Sequence, residues 1–367
     1  MGLQEEIDNK RQEIRSDSYS MSIGEWISLY ENNEIDIHPE FQRFFRWTNH
    51  QKTSLIESLL LGIPIPPIFV SQRTDGVWDV VDGLQRLSTI YEFVGKLKDE
   101  NQNLISPLVL GETKYLPSLK GKVWEDSDES DNALNQAQRL LIKRSKIDVT
   151  ILLKESDTLA KYELFQRLNT GGSIATPQEV RNCILVMYNR NMFHWMRNLS
   201  QNQKFQNCLS LTDRSLEEQY DMELLLRFLT FRNMDENEIR SMSDIGTFLT
   251  DKMVEMAQRS DFNYHKEEEA FDLTFEILNS HIGEESFRRY DDKKSKFLGG
   301  FLVTAYEVIA LGIGYNYEKL INSTVDIKSL VKGIWSNPDY TSWTGAGSDT
   351  RRRIPRLVSL GRRIFDV

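Results

Sequence analysis

Residues 77–89 read VWDVVDGLQRLST, and the change of pattern inside this stretch sets the fold around it. A β-branched run from Val77 to Val81 stops on Asp82-Gly83. Leu84, Leu87, Tyr91 and Val94 then recur at helical spacing. A strand that turns on Asp-Gly straight into a helix leaves N–H groups without helical partners at the positive end of the helix dipole, which suits an anion. Arg86 falls in the first helical turn, where its guanidinium can fork onto a phosphate held by those amides. Asp82 fits there as a helix cap, or as a grip on a metal or hydroxyl group beside the phosphates. The same residues also make an ordinary helix start, so this stretch alone leaves a structural and a phosphate-binding reading open.

Upstream, residues 35–47 read IDIHPEFQRFFRW and run into TNHQKTSLIESLLLGIPIPPIFV. Thr48 with Gln51 three places on is a capping box, which predicts a helix starting near Asn49. Leu55, Ile56, Leu59 and Leu60 supply its buried face, Gly62 ends it, and IPIPP forces an extended exit into a strand at 68–70. Gln42, Arg43 and Arg46 therefore precede this helix, interleaved with Phe41, Phe44, Phe45 and Trp47. Polar side chains in so aromatic a stretch need partners, because burying them unpaired is costly.

A third stretch, 165–182, reads FQRLNTGGSIATPQEVRN. Residues 158–168 have a helical pattern, with Leu159, Tyr162, Phe165 and Leu168 along one face. Asn169-Thr170-Gly171-Gly172 breaks it, and Thr176, Pro177 and Glu179 signal the next helix through a cap, an N1 proline and a capping-box acid. The loop between offers glycines that let backbone approach closely, with Asn169 and Thr170 as hydrogen-bonding side chains and Arg167 and Arg181 on its flanks. Taken alone it is equally a helix C-cap followed by a turn.

Together IHPEFQRFFRW, LIESLLLGIPIPPIFV, VVDGLQRLSTI and the 165–182 stretch resemble the N-terminal domain of GmrSD-type restriction endonucleases, a ParB-like family with a D-G-Q-Q-R hallmark. The resemblance spans roughly residues 20–190, with the segments in the family's order. Asp82, Gly83, Gln85 and Arg86 match the hallmark, and Leu84 replaces its first Gln. The resemblance implies an α+β ParB-like domain that binds, and often hydrolyses, a nucleoside triphosphate (ATP, GTP or CTP) with Mg²⁺. It also implies a place in bacterial defence against foreign DNA, sensing DNA that can carry modifications and governing a nuclease. On that basis Gln42, Arg43, Gly83 and Thr89 would contact nucleotide. Asn169, Thr170, Gly171 and Arg181 would form a second wall, and Asp82, Gln85 and Arg86 would carry the chemistry. A nucleotide-gated homodimer follows by the same analogy.

Length and composition frame these expectations. At 367 residues the chain accommodates two domains, and 40% apolar with 27% charged residues is globular. No apolar run approaches the roughly 20 residues of a membrane span. The charged N-terminus lacks a secretory apolar core. Cys183 and Cys208 make no disulfide framework, which points to a reducing cytoplasm. A net charge of −10 argues against wholesale coating of DNA. Charge is uneven, however. Residues 125–131 (EDSDESD) form an acidic loop ahead of a helix near 133–143. Arg351, Arg352, Arg353, Arg356, Arg362 and Arg363 cluster near the C-terminus, either to track a nucleic-acid backbone or to pair with the acidic body.

The expected architecture is a domain over 1–200 with a small mixed sheet (strands near 67–71, 77–81 and 147–153), then an all-α domain over 201–367. Helices in the latter are expected at 216–231, 248–256, 270–278 and 296–311. The scattered histidines have no metal-ligand spacing, and there is no P-loop or histidine-based nuclease finger. The chain is therefore expected to be the sensor half alone, or one whose nuclease comes as a separate partner. Three readings follow: a triphosphatase in which Gln85 orients water, a non-hydrolysing nucleotide switch permitted by Leu84, and a module that grips DNA phosphate at the same cradle.

Overall fold

Five strands build the mixed sheet of the first of two compact units, Met1–Ile174 and Ala175–Val367. The computed structural model describes residues 2–4, 16–37, 47–99, 101–125, 132–153, 176–344 and 349–367. The strands are β1 (Ser16–Ser22), β2 (Ile35–Asp36), β3 (Ile68–Gln72), β4 (Trp78–Asp82) and β5 (Lys146–Leu152), in the order β1-β5-β3-β4-β2. β3 runs parallel to β5 and antiparallel to β4. β1 pairs antiparallel with β5, and β2 parallel with β4.

The three strands legible in the sequence are the inner ones. Ile68, Val70, Val80, Ile147, Val149 and Ile151 are buried, as period-2 apolar patterns require. β1 and β2 gave no such signal: SDSYSMS lies largely exposed at the sheet edge, and β2 is two residues long. The pairing of β2 with β4 brings Asp36 level with Asp79. Arg73, at the end of β3, donates to both carboxylates and offsets the repulsion. Burial alone would lower the Arg73 pKa, but Asp79 and Asp36 outweigh it and push it up.

Among the described residues, four helices accompany the sheet: α1 (Ile23–Glu31), α2 (Asn49–Leu61), α3 (Leu84–Phe93) and α4 (Gln136–Arg144). Thr48 and Gln51 form the capping box of α2, and Gly62 ends it at φ +70° in the left-handed region. α3 lies deepest. Leu87, Ile90, Tyr91 and Phe93 are buried, Tyr91 stacks on Tyr30 at 4.2 Å, and its hydroxyl donates to the Trp26 carbonyl. Each such side chain stabilises the unit by about 1.5–3 kcal/mol, which fixes α3 and the turn that precedes it.

The second unit is helical: α5 (Pro177–Ser200), α6 (Gln203–Leu209), α7 (Asp213–Glu217), α8 (Tyr220–Phe231), α9 (Glu236–Arg240), α10 (Ile245–Gln258), α11 (Tyr264–His281), α12 (Val303–Leu320), α13 (Ile327–Ile334), α14 (Pro338–Thr341) and α15 (Thr350–Ile364). α5 belongs to this unit, which begins ahead of the expected 200/201 division. Its start is the expected one, a Thr176–Glu179 capping box with Pro177 at the first turn.

Two expected helices differ in outline. The 216–231 pattern is split into α7 and α8 by Gln219, at φ +58°. The break is stable because the Gln219 side-chain amide donates to the Leu216 carbonyl and the Thr176 hydroxyl to that of Glu218. The 296–311 helix begins only at Val303. Lys296–Leu298 is instead strand β7, paired antiparallel with β6 (Arg289–Asp291), and Gly299 at φ +79° turns the chain out of the hairpin.

α12 is apolar nearly all round and forms the core of this unit. α15 packs against it at Gly312 and Gly361, where a Cβ on Gly361 would stand 2.1 Å from the Val308 carbonyl oxygen.

Candidate functional site

The β4–α3 junction in the first unit holds five of the expected site residues. Gly83 sits at φ +100°, and a Cβ there would meet Ile68 Cδ1 at 2.3 Å. Only glycine makes this turn while keeping α3 against β3. Gly83 is the N-cap and no side chain caps the helix, so the expectation of Asp82 as the cap gives way to another role. The N–H groups of Leu84, Gln85 and Arg86 have no acceptor inside α3, since the helical ladder begins with Leu87 donating to the Gly83 carbonyl.

Asp82 instead accepts from the Arg86 guanidinium at 2.7 Å. The other terminal nitrogen of Arg86 donates to the Pro66 and Pro67 carbonyls at 2.6 and 3.1 Å. The IPIPP exit of α2, which reads as a mere strand lead-in, therefore supplies acceptors for this arginine. The Arg86 side chain is 11% exposed and that of Asp82 34%, so the carboxylate is the open side of the pair. Gln85 accepts at its side-chain oxygen from the Trp47 N–H at 3.1 Å. That bond ties Trp47 to the start of α3.

Thr89 is buried and its hydroxyl donates to the Gln85 carbonyl, so it faces its own helix. Ser88, absent from the sequence reading, is a buried hydroxyl without a hydrogen-bond partner among the described residues. Its only sequence signal was its place one turn after Leu84. Gln42, Arg43, Asn169, Thr170 and Gly171 lie outside the described residues, as does the helix expected at 158–168.

Arg181 lies in the second unit, on α5. It donates to Glu223 at 2.6 Å and to Gln178 at 2.8 Å. Glu223 also accepts from Arg227, which reaches Glu307, which accepts both guanidinium arms of Arg353. Burial would raise the Glu223 pKa, but Arg227 and Arg181 more than offset it and hold it below the usual carboxylate range.

The C-terminal arginines divide. Arg353 and Arg362 turn inward, Arg362 donating to the Phe231, Arg232 and Met234 carbonyls. Arg351 and Arg363 pair with Asp349 and Asp339, and Arg356 lies 3.6 Å above the Trp343 ring. Carboxylates therefore take up three of these six side chains, and backbone carbonyls a fourth, Arg362.

Other chemistries find little support in this arrangement. Among the described residues no three His, Cys, Asp or Glu side chains converge to hold a metal. Neither Cys183 nor Cys208 is in a disulfide and both are buried, and burial pushes the Cys208 thiol up to about 11, against a smaller opposing effect of Ser286. Among the described residues no helix is long and apolar enough to cross a membrane.

Residues 23–186 match the family described as GmrSD restriction endonuclease, N-terminal domain. The match bears out the resemblance carried by the three motif stretches and ties the chain to restriction systems. No curated protein matches the chain, and no solved structure does.

Proposed function

We propose that the first unit binds a nucleoside triphosphate at the start of α3, and that occupancy governs how the chain engages DNA within a restriction-type defence system. One observation carries the reading: the Trp47 N–H···Gln85 bond holds Trp47, the residue that follows the Q-R stretch in sequence, at the uncapped first turn of α3. The N–H groups of Leu84, Gln85 and Arg86 are the donors for phosphate oxygens. Arg86 stands beside them, tethered to Asp82 and to the two proline carbonyls until an anion competes for it. Mg²⁺ suits this place as an ion carried on the phosphates, with Asp82 as the nearby carboxylate. It would shield phosphate charge there.

Gln85 favours a switch over rapid turnover. Its side-chain oxygen is engaged by Trp47, which takes it away from orienting an attacking water, and Leu84 stands where the family hallmark has another Gln. Nucleotide would then be held and released more than hydrolysed. The nuclease belongs to a separate partner, and homodimerisation on nucleotide binding fits the same switch.

Calorimetry of ATP, GTP and CTP with Mg²⁺, beside phosphate release with and without DNA, tests the reading. Saturable binding of at least one triphosphate is expected, with slow release of phosphate. Arg86→Lys keeps the charge but loses the three-acceptor fork, and is expected to weaken binding about tenfold or more, judged beside a thermal melt. No binding of any of the three would overturn the assignment.

A further inference from the structure

The β6–β7 hairpin concentrates positive charge on an otherwise acidic chain. Residues 288–298 (RRYDDKKSKFL) carry five cations and two carboxylates, a net +3, which leaves −13 for the rest of a chain whose total is −10. Arg289, Lys293, Lys294 and Lys296 are exposed, and none has a carboxylate within ion-pair distance among the described residues. Of the two acids, Asp291 is used by the turn: it accepts from the Lys294 N–H through its side chain and its carbonyl, with Ser295 at φ +51° completing the reversal. Tyr290 and Phe297 form the inward pair at 5.0 Å and root the hairpin in the unit. Lys332 of α13 lies 5.0 Å from the Tyr290 ring, adding a cation at the hairpin base.

Gathering like charges on one short ribbon disfavours folding unless a polyanion compensates them, and a two-stranded ribbon is narrow enough to follow a DNA groove. We propose that this hairpin, with Lys332, is the surface through which the chain holds the phosphate backbone of duplex DNA. The proposal rests on the DNA role stated above and assigns it a place distinct from the α3 site and from α15. Its cations meet phosphate, so they position the duplex and carry no base preference.

The test is fluorescence-anisotropy titration of a labelled duplex by the full chain over a series of salt concentrations. It compares the wild type with a Lys293→Ser, Lys294→Ser, Lys296→Ser variant and with the Lys→Arg version of the same triple change. The Ser variant is expected to bind on the order of tenfold to several hundredfold more weakly, its salt slope falling by about 0.9 for each phosphate it no longer neutralises. The Arg variant is expected to bind like wild type. Nucleotide binding at α3 should not move in either.

Wild-type binding with an unchanged Ser variant would overturn the hairpin assignment and leave the DNA role standing. No wild-type binding at any salt concentration would remove both. DNA binding that survives while self-association is lost would assign the hairpin to an acidic protein segment, such as residues 125–131 of a second copy, and overturn the proposal.

Discussion

Arg86 and Arg181 both read in sequence as anion contacts, both lie near the start of a helix, and both are found on a carboxylate. Their surroundings separate them. Arg181 is 3% exposed and its partner Glu223 16%, and Glu223 is shared with Arg227 in a chain that continues to Glu307 and Arg353. Arg86 faces a single carboxylate that is 34% exposed, beside helix amides with no side-chain cap. An arginine in a closed alternating network ties helices together. One on an open carboxylate at an uncapped helix start can exchange its partner for a phosphate. The first is architecture, and the second is where binding is proposed.

Glu223→Gln should break the comparison most violently. It leaves Arg181 and Arg227 buried without their shared counter-charge, and a loss of about 3–5 kcal/mol is expected in urea unfolding. The pH dependence follows from sign. The folded Glu223 pKa is depressed, so its contribution is present above the usual glutamate value of about 4.3 and is lost as pH falls through the folded value. Wild-type stability should therefore fall below about pH 4 more steeply than that of the Gln variant. Equal slopes would mean the network is not charged as described.

Gly83→Ala comes next. It forces an alanine to φ +100° and a methyl onto Ile68, for which a loss of about 2–4 kcal/mol is expected. Adding Ile68→Val removes the colliding Cδ1, so the double variant should recover the overpacking part and retain the backbone strain. A double variant no more stable than the single would place the whole cost in the backbone.

Asp82→Asn should have the smallest effect. With a carboxylate a third exposed, a loss of about 0.5–1 kcal/mol is expected in the same unfolding assay. A loss as large as that of Glu223→Gln would erase the distinction between the two arginines.

The inner sheet was legible because its strands bury alternate residues, and helix starts because capping boxes are local: Thr48–Gln51 and Thr176–Glu179 both close as their spacing predicts. β1 escaped notice because an exposed edge strand has no apolar period, and β7 because Lys296-Phe297-Leu298 continues an apolar run that a helix could use equally well. At the junction, Asp82 through Arg86 could be found by pattern, but the residues that hold them could not. The Pro66 and Pro67 carbonyls and the Trp47 N–H are backbone groups, and no side-chain pattern announces them. The Arg181 partner is hidden from the sequence for a related reason. Glu223 is 42 residues away, and tertiary pairing leaves no local trace.

The most direct test of the α3 assignment is amide hydrogen exchange across residues 83–87 of the full chain, with and without saturating triphosphate and Mg²⁺. The account expects the amides of Leu84, Gln85 and Arg86 to slow on binding, because phosphate oxygens become their acceptors. Nucleotide binding that leaves these amides unchanged would contradict it and place the nucleotide elsewhere.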